Sequence, residues 1–306
     1  MDFRPNDDQS AVLSAVSTLL ERHSGPTRLR ALGGDSPDYD HDLDKRLEAA
    51  GFFDVAAFGS TNRLDAALVQ EAISMALGTA ATGYRLLVAP SLPITVTGPL
   101  AVVPDGFVGP ARFAADADAV VVVGADQVRL ASPAPNADRS LSRLGFPVGQ
   151  FSAPVGGEVL DGVDPAEIRA WLQVTLAVEI AGALRFATDL TVAYVIDRKQ
   201  FGRSIGSFQA VQHGLAECAI ATDGARLLAL EAAFVGSAEA AAVALTHALE
   251  ATKVVFGRTH QYTGAMGFTQ EYDLHFATMR LVGLRSEAAA LGRAAALVAR
   301  QRWNVG

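Results

Sequence analysis

The stretch YVIDRKQFGRSIGSFQAVQHGLAECAIA, residues 194–221, decides the fold. It reads as the end of one long helix, a tight turn bearing Gly202, and the start of a second helix. Upstream, residues 166–198 repeat Ile168, Leu172, Leu176, Ile180, Ala183, Ala187 and Val195 at three- and four-residue steps, with no internal proline. The pair Asp164-Pro165 suits an N-cap and first helical position, so the spacing predicts a helix of roughly 50 Å at about 1.5 Å per residue. Similar runs follow at 208–235, 238–263 and 284–302. Long helices of matching length predict a four-helix bundle, and their many alanines predict close packing on another bundle, hence an oligomer.

Within the turn, Arg198 stands three residues before Phe201. On a helical path the two share a face and can grip a flat, anionic ligand together. The same residues also fit a solvated helix-end charge and a core aromatic. A second stretch, HQYTGAMGFTQEYDLHF at 260–276, ends a helix near Gln261 and runs into Gly264-Ala265-Met266-Gly267. Backbone with so little Cβ cover lets phosphates or a sugar approach main-chain groups, although an ordinary glycine-rich helix stop reads similarly.

Towards the N-terminus the texture changes twice. Residues 7–23, 43–50 and 64–78 carry helical apolar spacing and predict three helices in a small domain, 1–82, with a Gly/Pro/Asp-rich connection at 24–40. Between 83 and 160, prolines 90, 93, 99, 104, 110, 133, 135, 147 and 154 exclude long helices. Short strands are expected at 92–96, 100–103, 119–123 and 127–130, the last two as a hairpin. The expected fold is thus α+β and mainly α, with an N-terminal helical domain, a reduced middle β domain (83–160) and a C-terminal bundle (161–306). The middle part is too short and interrupted for a nucleotide-binding α/β domain, and it holds no phosphate loop.

Half of the 306 residues are hydrophobic and mean hydropathy is +0.24, enough for a sizeable core. A formal charge of −8 and a pI near 5.2 give no general footprint for nucleic acid or anionic membrane. No run reaches about 18 apolar residues without a charge, so no membrane span is expected. The N-terminus is acidic where a signal peptide is basic, and a single cysteine, Cys218, fits a reducing cytoplasm. His213, His247, His260 and His275 lack the partner spacing of a metal site. Glu179 and Glu217 are candidate desolvated bases; their alternative is an ion pair with residues such as Arg185 or Arg226.

Two blocks together carry a family resemblance. Arg198-x-x-Phe201-Gly202, Phe208-Gln209 and Leu215-Ala216-Glu217 resemble the Arg-x-x-Phe-Gly…(Phe/His)-Gln…Leu-Ala-(Asp/Glu) signature of the acyl-CoA dehydrogenase family. Gln261-x-x-Gly264-Ala265-x-Gly267-Phe268-x-x-Glu271-Tyr272 resembles its Gln-x-x-Gly-Gly-x-Gly-(Tyr/Phe)-x-x-Glu-Tyr signature. In that family these elements hold the FAD pyrophosphate and adenosine of a neighbouring subunit. The resemblance therefore implies FAD contacts at Arg198, Phe201, Gln209, Gln261, Gly264 and Ala265, with Ala265 departing from the usual glycine.

Other departures shape the expected function. The segments that cradle the isoalloxazine and acyl-CoA, Thr-Glu-x-x-x-Gly-Ser-Asp-like and Trp-Ile-(Thr/Ser)-Asn-like, are missing from 83–160. The family's catalytic Glu, sixteen residues after Glu-Tyr, falls on Ala288, and its alternative helical position falls near Leu172. Glu287, one residue away and outside any Tyr-Glu-Gly-Thr motif, is left as a weak candidate base. The resemblance thus implies a shortened, non-catalytic subunit of a heteromeric (α2β2) enzyme. A full-length homologous partner would share its FAD, as in the heterotetrameric enzymes of actinobacterial steroid breakdown, with a bulky polycyclic acyl-CoA as substrate. Two alternatives stand beside it: a self-sufficient homo-oligomeric dehydrogenase using Glu287 or Glu179, and a flavin-free structural subunit.

Overall fold

The computed structural model describes residues 3–58, 63–139 and 143–291. The first part is helical: α1 (Asp7–His23), α2 (Pro26–Ala31), α3 (His41–Ala49), α4 (Val55–Phe58) and α5 (Leu64–Met75). α1 starts on a reciprocal cap, in which Asn6 accepts from the Gln9 N–H at 2.8 Å and Gln9 from the Asn6 N–H at 3.0 Å. α2 and the one-turn α4 add to the three helices expected there. α2 begins with Pro26 behind a left-handed Gly25, so its short span was hidden in a glycine- and proline-rich connection.

A π-helical turn, Tyr84–Val88, leads into the strand region. The strand expected at 92–96 does not form, since Pro90 and Pro93 remove the N–H groups that a ladder needs. The strands are β1 (Leu100–Pro104), β2 (Gly109–Arg112), β3 (Ala119–Val123), β4 (Val128–Ala131), β5 (Asp138–Arg139), β6 (Val148–Phe151) and β7 (Glu158–Val159). They form one sheet of order β1-β3-β4-β7, with β1 parallel to β3, and an antiparallel sheet of order β2-β6-β5. The β3–β4 hairpin is as expected, with Val123 opposite Val128. Every β3 residue is buried, because Val120 and Val122 pack with Ala111 and Phe151 of the other sheet while Val121 and Val123 join the main core.

The remainder is α6 (Pro165–Asp197), a ribbon of β8 (Lys199–Gln200) and β9 (Arg203–Ser204), then α7 (Gln209–Val235), α8 (Ala238–Thr263) and α9 (Leu274–Ala290). Asp164 caps α6 by accepting from the Ala166 N–H at 2.8 Å. α6 is apolar around most of its circumference because α5, α7, α8 and α9 all pack on it. Close approach to α5 requires Gly182, where a Cβ would lie 2.7 Å from Ser74 Cβ and 2.9 Å from the Glu71 carbonyl. The fourth helix begins at Leu274, not at 284, and the 292–302 part of the expected run 284–302 lies outside the described residues. Buried Arg280 interrupts its apolar stripe. That guanidinium donates to the carbonyls of Leu77 and Gly78 at 2.8 Å each, and burial pushes its pKa down to about 9.

Candidate functional site

Where α6 ends, the Arg198 N–H donates to the Tyr194 carbonyl at 2.9 Å and the backbone turns extended. Lys199–Gln200 pairs with Arg203–Ser204 around Phe201 and Gly202, both left-handed at φ 54° and 78°. Two such residues make the primed turn that matches strand twist. Arg198 and Phe201 therefore do not share a helical face; one caps the helix and the other forms the hairpin tip. A phenylalanine held there costs about 1–3 kcal/mol of backbone strain, and its ring is 90% exposed. Phe208 stands edge-on to it at 6.2 Å, beneath the Arg203 guanidinium at 4.0 Å.

The second block meets the first at the same end of the bundle. The Tyr262 hydroxyl at the end of α8 donates to the Ala210 carbonyl at the start of α7, 3.3 Å away. Gly214 makes room for that ring, since a Cβ there would lie 1.7 Å from the Tyr262 oxygen. Beyond the turn Gly264–Phe268, the Tyr272 hydroxyl donates to the Leu190 carbonyl at 3.1 Å and its ring packs edge-on against Tyr194. Both signature blocks are thereby tied to the end of α6.

Arg198, Phe201, Gln209, Gln261, Gly264 and Ala265 are all exposed at this end. Among the described residues, the side chains of Arg198, Gln209 and Gln261 have no hydrogen-bond or ion-pair partner. Gly264 is left-handed at φ 59°, and a Cβ on it would meet nothing within 4 Å. Arg198, Lys199 and Arg203 are joined by no carboxylate among the described residues. Unpaired cations, free amides, bare backbone and a presented aromatic ring are the donor set that an anionic dinucleotide requires.

The candidate carboxylates lie elsewhere, around a residue that the sequence did not single out. Arg112 at the end of β2 is buried, with Nη1 2.9 Å from Glu179 Oε2 of α6 and Nε against Glu287 of α9. The Tyr84 hydroxyl donates to Glu287 at 2.6 Å. Tyr84, Phe113 and Phe146 surround the guanidinium at 5.1, 5.3 and 4.7 Å, and Phe113 is itself left-handed at φ 63°. Although burial works against the charge, the two carboxylates hold the Arg112 guanidinium well above its usual pKa. A cavity of about 320 Å³ between β1, β2 and α9 reaches this cluster at Tyr84, Arg112 and Glu287. Neither Arg185 nor Arg226 serves Glu179: Arg185 pairs with Asp223 and Arg226 with Glu71. Glu217 is an exposed partner of Arg258 at 2.6 Å. Arg112 lies 28, 67 and 175 positions from Tyr84, Glu179 and Glu287, so no local spacing could have joined them.

A long helical bundle thus carries two small sheets, with exposed cations, amides and glycine backbone gathered at one bundle end. Residues 170–284 match the model of the acyl-CoA dehydrogenase C-terminal domain. The chain is 30% identical over 298 residues to the acyl-CoA dehydrogenase IpdE2 of Mycolicibacterium smegmatis, covering 91% of this chain and 93% of that protein. It is 28% identical to IpdE2 of Mycobacterium tuberculosis, covering 91% and 92%. Among solved structures, the fold is similar to a chain of the ChsE4-ChsE5 complex from Mycobacterium tuberculosis, with a TM-score of 0.82, 18% identity and full coverage of both chains. It is also similar to the Tcur3481-Tcur3483 steroid ACAD G363A variant, with a TM-score of 0.78, 21% identity and coverage of 96% and 98%. The chain belongs to the acyl-CoA dehydrogenase family, whose members generally bind FAD.

Proposed function

We propose that this chain is the non-catalytic subunit of a heteromeric FAD-dependent acyl-CoA dehydrogenase, completing the FAD site of a full-length homologous partner. The observation that carries this reading is Arg112. It engages both carboxylates available to a self-sufficient enzyme, buried Glu179 and half-buried Glu287, in one ionic cluster. A general base needs an oxygen that a substrate proton can reach. Burial holds Glu179 above the usual carboxylate range, but it is buried against Arg112 and does not line the cavity of about 320 Å³, while Glu287 faces that cavity already engaged by Arg112 and Tyr84. The catalytic base is accordingly assigned to the partner.

The donor set at the bundle end is assigned to the dinucleotide part of FAD. Arg198 would neutralise phosphate, Gln209 and Gln261 would donate amide hydrogens, Phe201 would cover a flat group, and Gly264-Ala265 would let the ligand approach main chain. FAD, when bound, supplies the hydride acceptor for α,β-dehydrogenation of a thioester. Support for a heteromeric assembly, which we take as α2β2, comes from the similarity to a chain of a two-component complex, and for a steroid-type acyl-CoA from the likeness to a protein titled a steroid ACAD.

Flavin counting tests the reading. Purified alone, the chain should retain no FAD; co-expressed with its full-length partner, the complex should carry one FAD per pair. One FAD per chain, with acyl-CoA-dependent reduction of an electron acceptor by this chain alone, would establish the self-sufficient alternative. Unchanged FAD retention in a complex carrying Arg198→Ala would establish the flavin-free one.

A further inference from the structure

Behind the Gly264–Phe268 turn lies a histidine that the reading above leaves unused. His260 is 6% exposed, and its ring is stacked between Phe256 and Phe268 at centroid distances of 4.6 Å each. Nε2 is 2.8 Å from Thr278 Oγ1 of α9. That hydroxyl gives its own hydrogen to the Leu274 carbonyl at 3.1 Å, so it accepts from His260, which fixes the proton on Nε2. Nδ1 is then a lone-pair nitrogen, buried and without a hydrogen-bond partner. It faces Gly267, where a Cβ would lie 3.2 Å from Nδ1 and 2.1 Å from Thr263 Oγ1. The turn thus seats its backbone directly on the imidazole.

We infer that His260 is a positioning residue that holds the Gly264–Phe268 turn in its ligand-facing shape only while its ring is neutral, so the half-site loosens on acidification. The inference rests on the cofactor reading above for its consequence, but not for its mechanism. A second proton on Nδ1 would place an N–H in a buried position with no acceptor, against Gly267. Such a donor would stand desolvated and unpaired, because the flanking phenylalanines lie over the faces of the imidazole, tilted 41° and 37°, and not in its plane, where the N–H points. Among the described residues, no charged side chain opposes this desolvation. Phe256 and Thr263 of α8, Gly267 and Phe268 of the turn, and Thr278 of α9 face the ring, and none of them ionises near neutrality. The nearest charges along α8, Arg258 and Lys253, are paired with Glu217 and Glu250; beyond the turn, His275 is paired with Asp35.

Desolvation holds His260 below the ordinary histidine pKa, in agreement with this geometry. For a base whose folded pKa is depressed, the unfolded or opened state binds more protons. The stabilisation is therefore complete above the ordinary histidine range and is lost as pH falls below it. Local opening of the turn should become more frequent by up to about tenfold per pH unit in that window.

Hydrogen exchange at the amides of 262–269, measured on the chain alone at pH 7 and pH 5 and corrected for intrinsic rates, tests the mechanism without flavin. Wild type should show the acid-induced opening. His260→Gln, whose amide can still donate to Thr278 but does not titrate, should show none. Equal protection of wild type at both pH values overturns the inference whatever the flavin does. Should the variant not fold, the His260 ring proton resonance of wild type decides: titration at or above the ordinary histidine pKa overturns the inference. FAD release from the complex with the full-length partner should accelerate at pH 5 in wild type alone. If exchange switches while FAD release stays constant, the seat on His260 holds and the assignment of this turn to FAD fails.

Discussion

Arg112 stands where β2, α6, α9 and the Tyr84 turn meet, and its single charge answers two carboxylates, buried Glu179 and half-buried Glu287. Removing one partner from a buried ionic cluster costs more than never having built it. Arg112→Met should therefore lower stability by about 3–5 kcal/mol in urea denaturation, because Glu179 and Glu287 are left facing each other. Replacing all three charges by apolar side chains of similar volume should recover most of that loss. At the opposite end, Phe201 trades backbone comfort for presentation. Phe201→Asn, which tolerates a left-handed backbone, should raise the stability of the isolated chain by roughly 0.5–1.5 kcal/mol while weakening FAD retention by the complex.

At the scale of elements, the two signature blocks work as one unit because aromatic hydroxyls tie them together. Gly214→Ala would displace the Tyr262 ring and break its bond to the Ala210 carbonyl. The expected result is a loss of about 1–3 kcal/mol with a proportionate loss of flavin from the complex, read by thermal unfolding and flavin fluorescence. Elements of this kind were legible wherever a period ran unbroken. α6, α7 and α8 fall within a residue or so of the expected runs, and the valines of β3 announce a strand covered on both faces. The misses have local causes. Arg280 breaks the stripe of α9, since a guanidinium satisfied by two carbonyls looks polar in sequence although it is buried. The tight turn at Gly202 is as expected, but its closure as a ribbon, which takes Arg198 and Phe201 off a common helical face, is not legible because Phe201 gives no local sign of positive φ. The residues of the two signature blocks could be named from contiguous motifs, whereas the Arg112 cluster is a product of tertiary folding alone.

For the molecule as a whole, the two sites lie in different kinds of surroundings. One is an ionic knot between the sheets and the bundle, reached by a cavity; the other is an exposed set of donors at the bundle's end. The first secures the sheets on the helices, and the second is finished only by another chain under the function proposed above. The tip of the β8–β9 ribbon has a practical consequence in these terms. Phe201 followed by a left-handed Gly202, exposed on a narrow loop, is the kind of bond that chymotrypsin finds readily. Limited digestion of the free chain should cut after Phe201 first, giving fragments that divide the bundle between α6 and α7. In the complex that bond should survive, so a protease becomes a clock for assembly, timing how fast free subunits disappear into pairs.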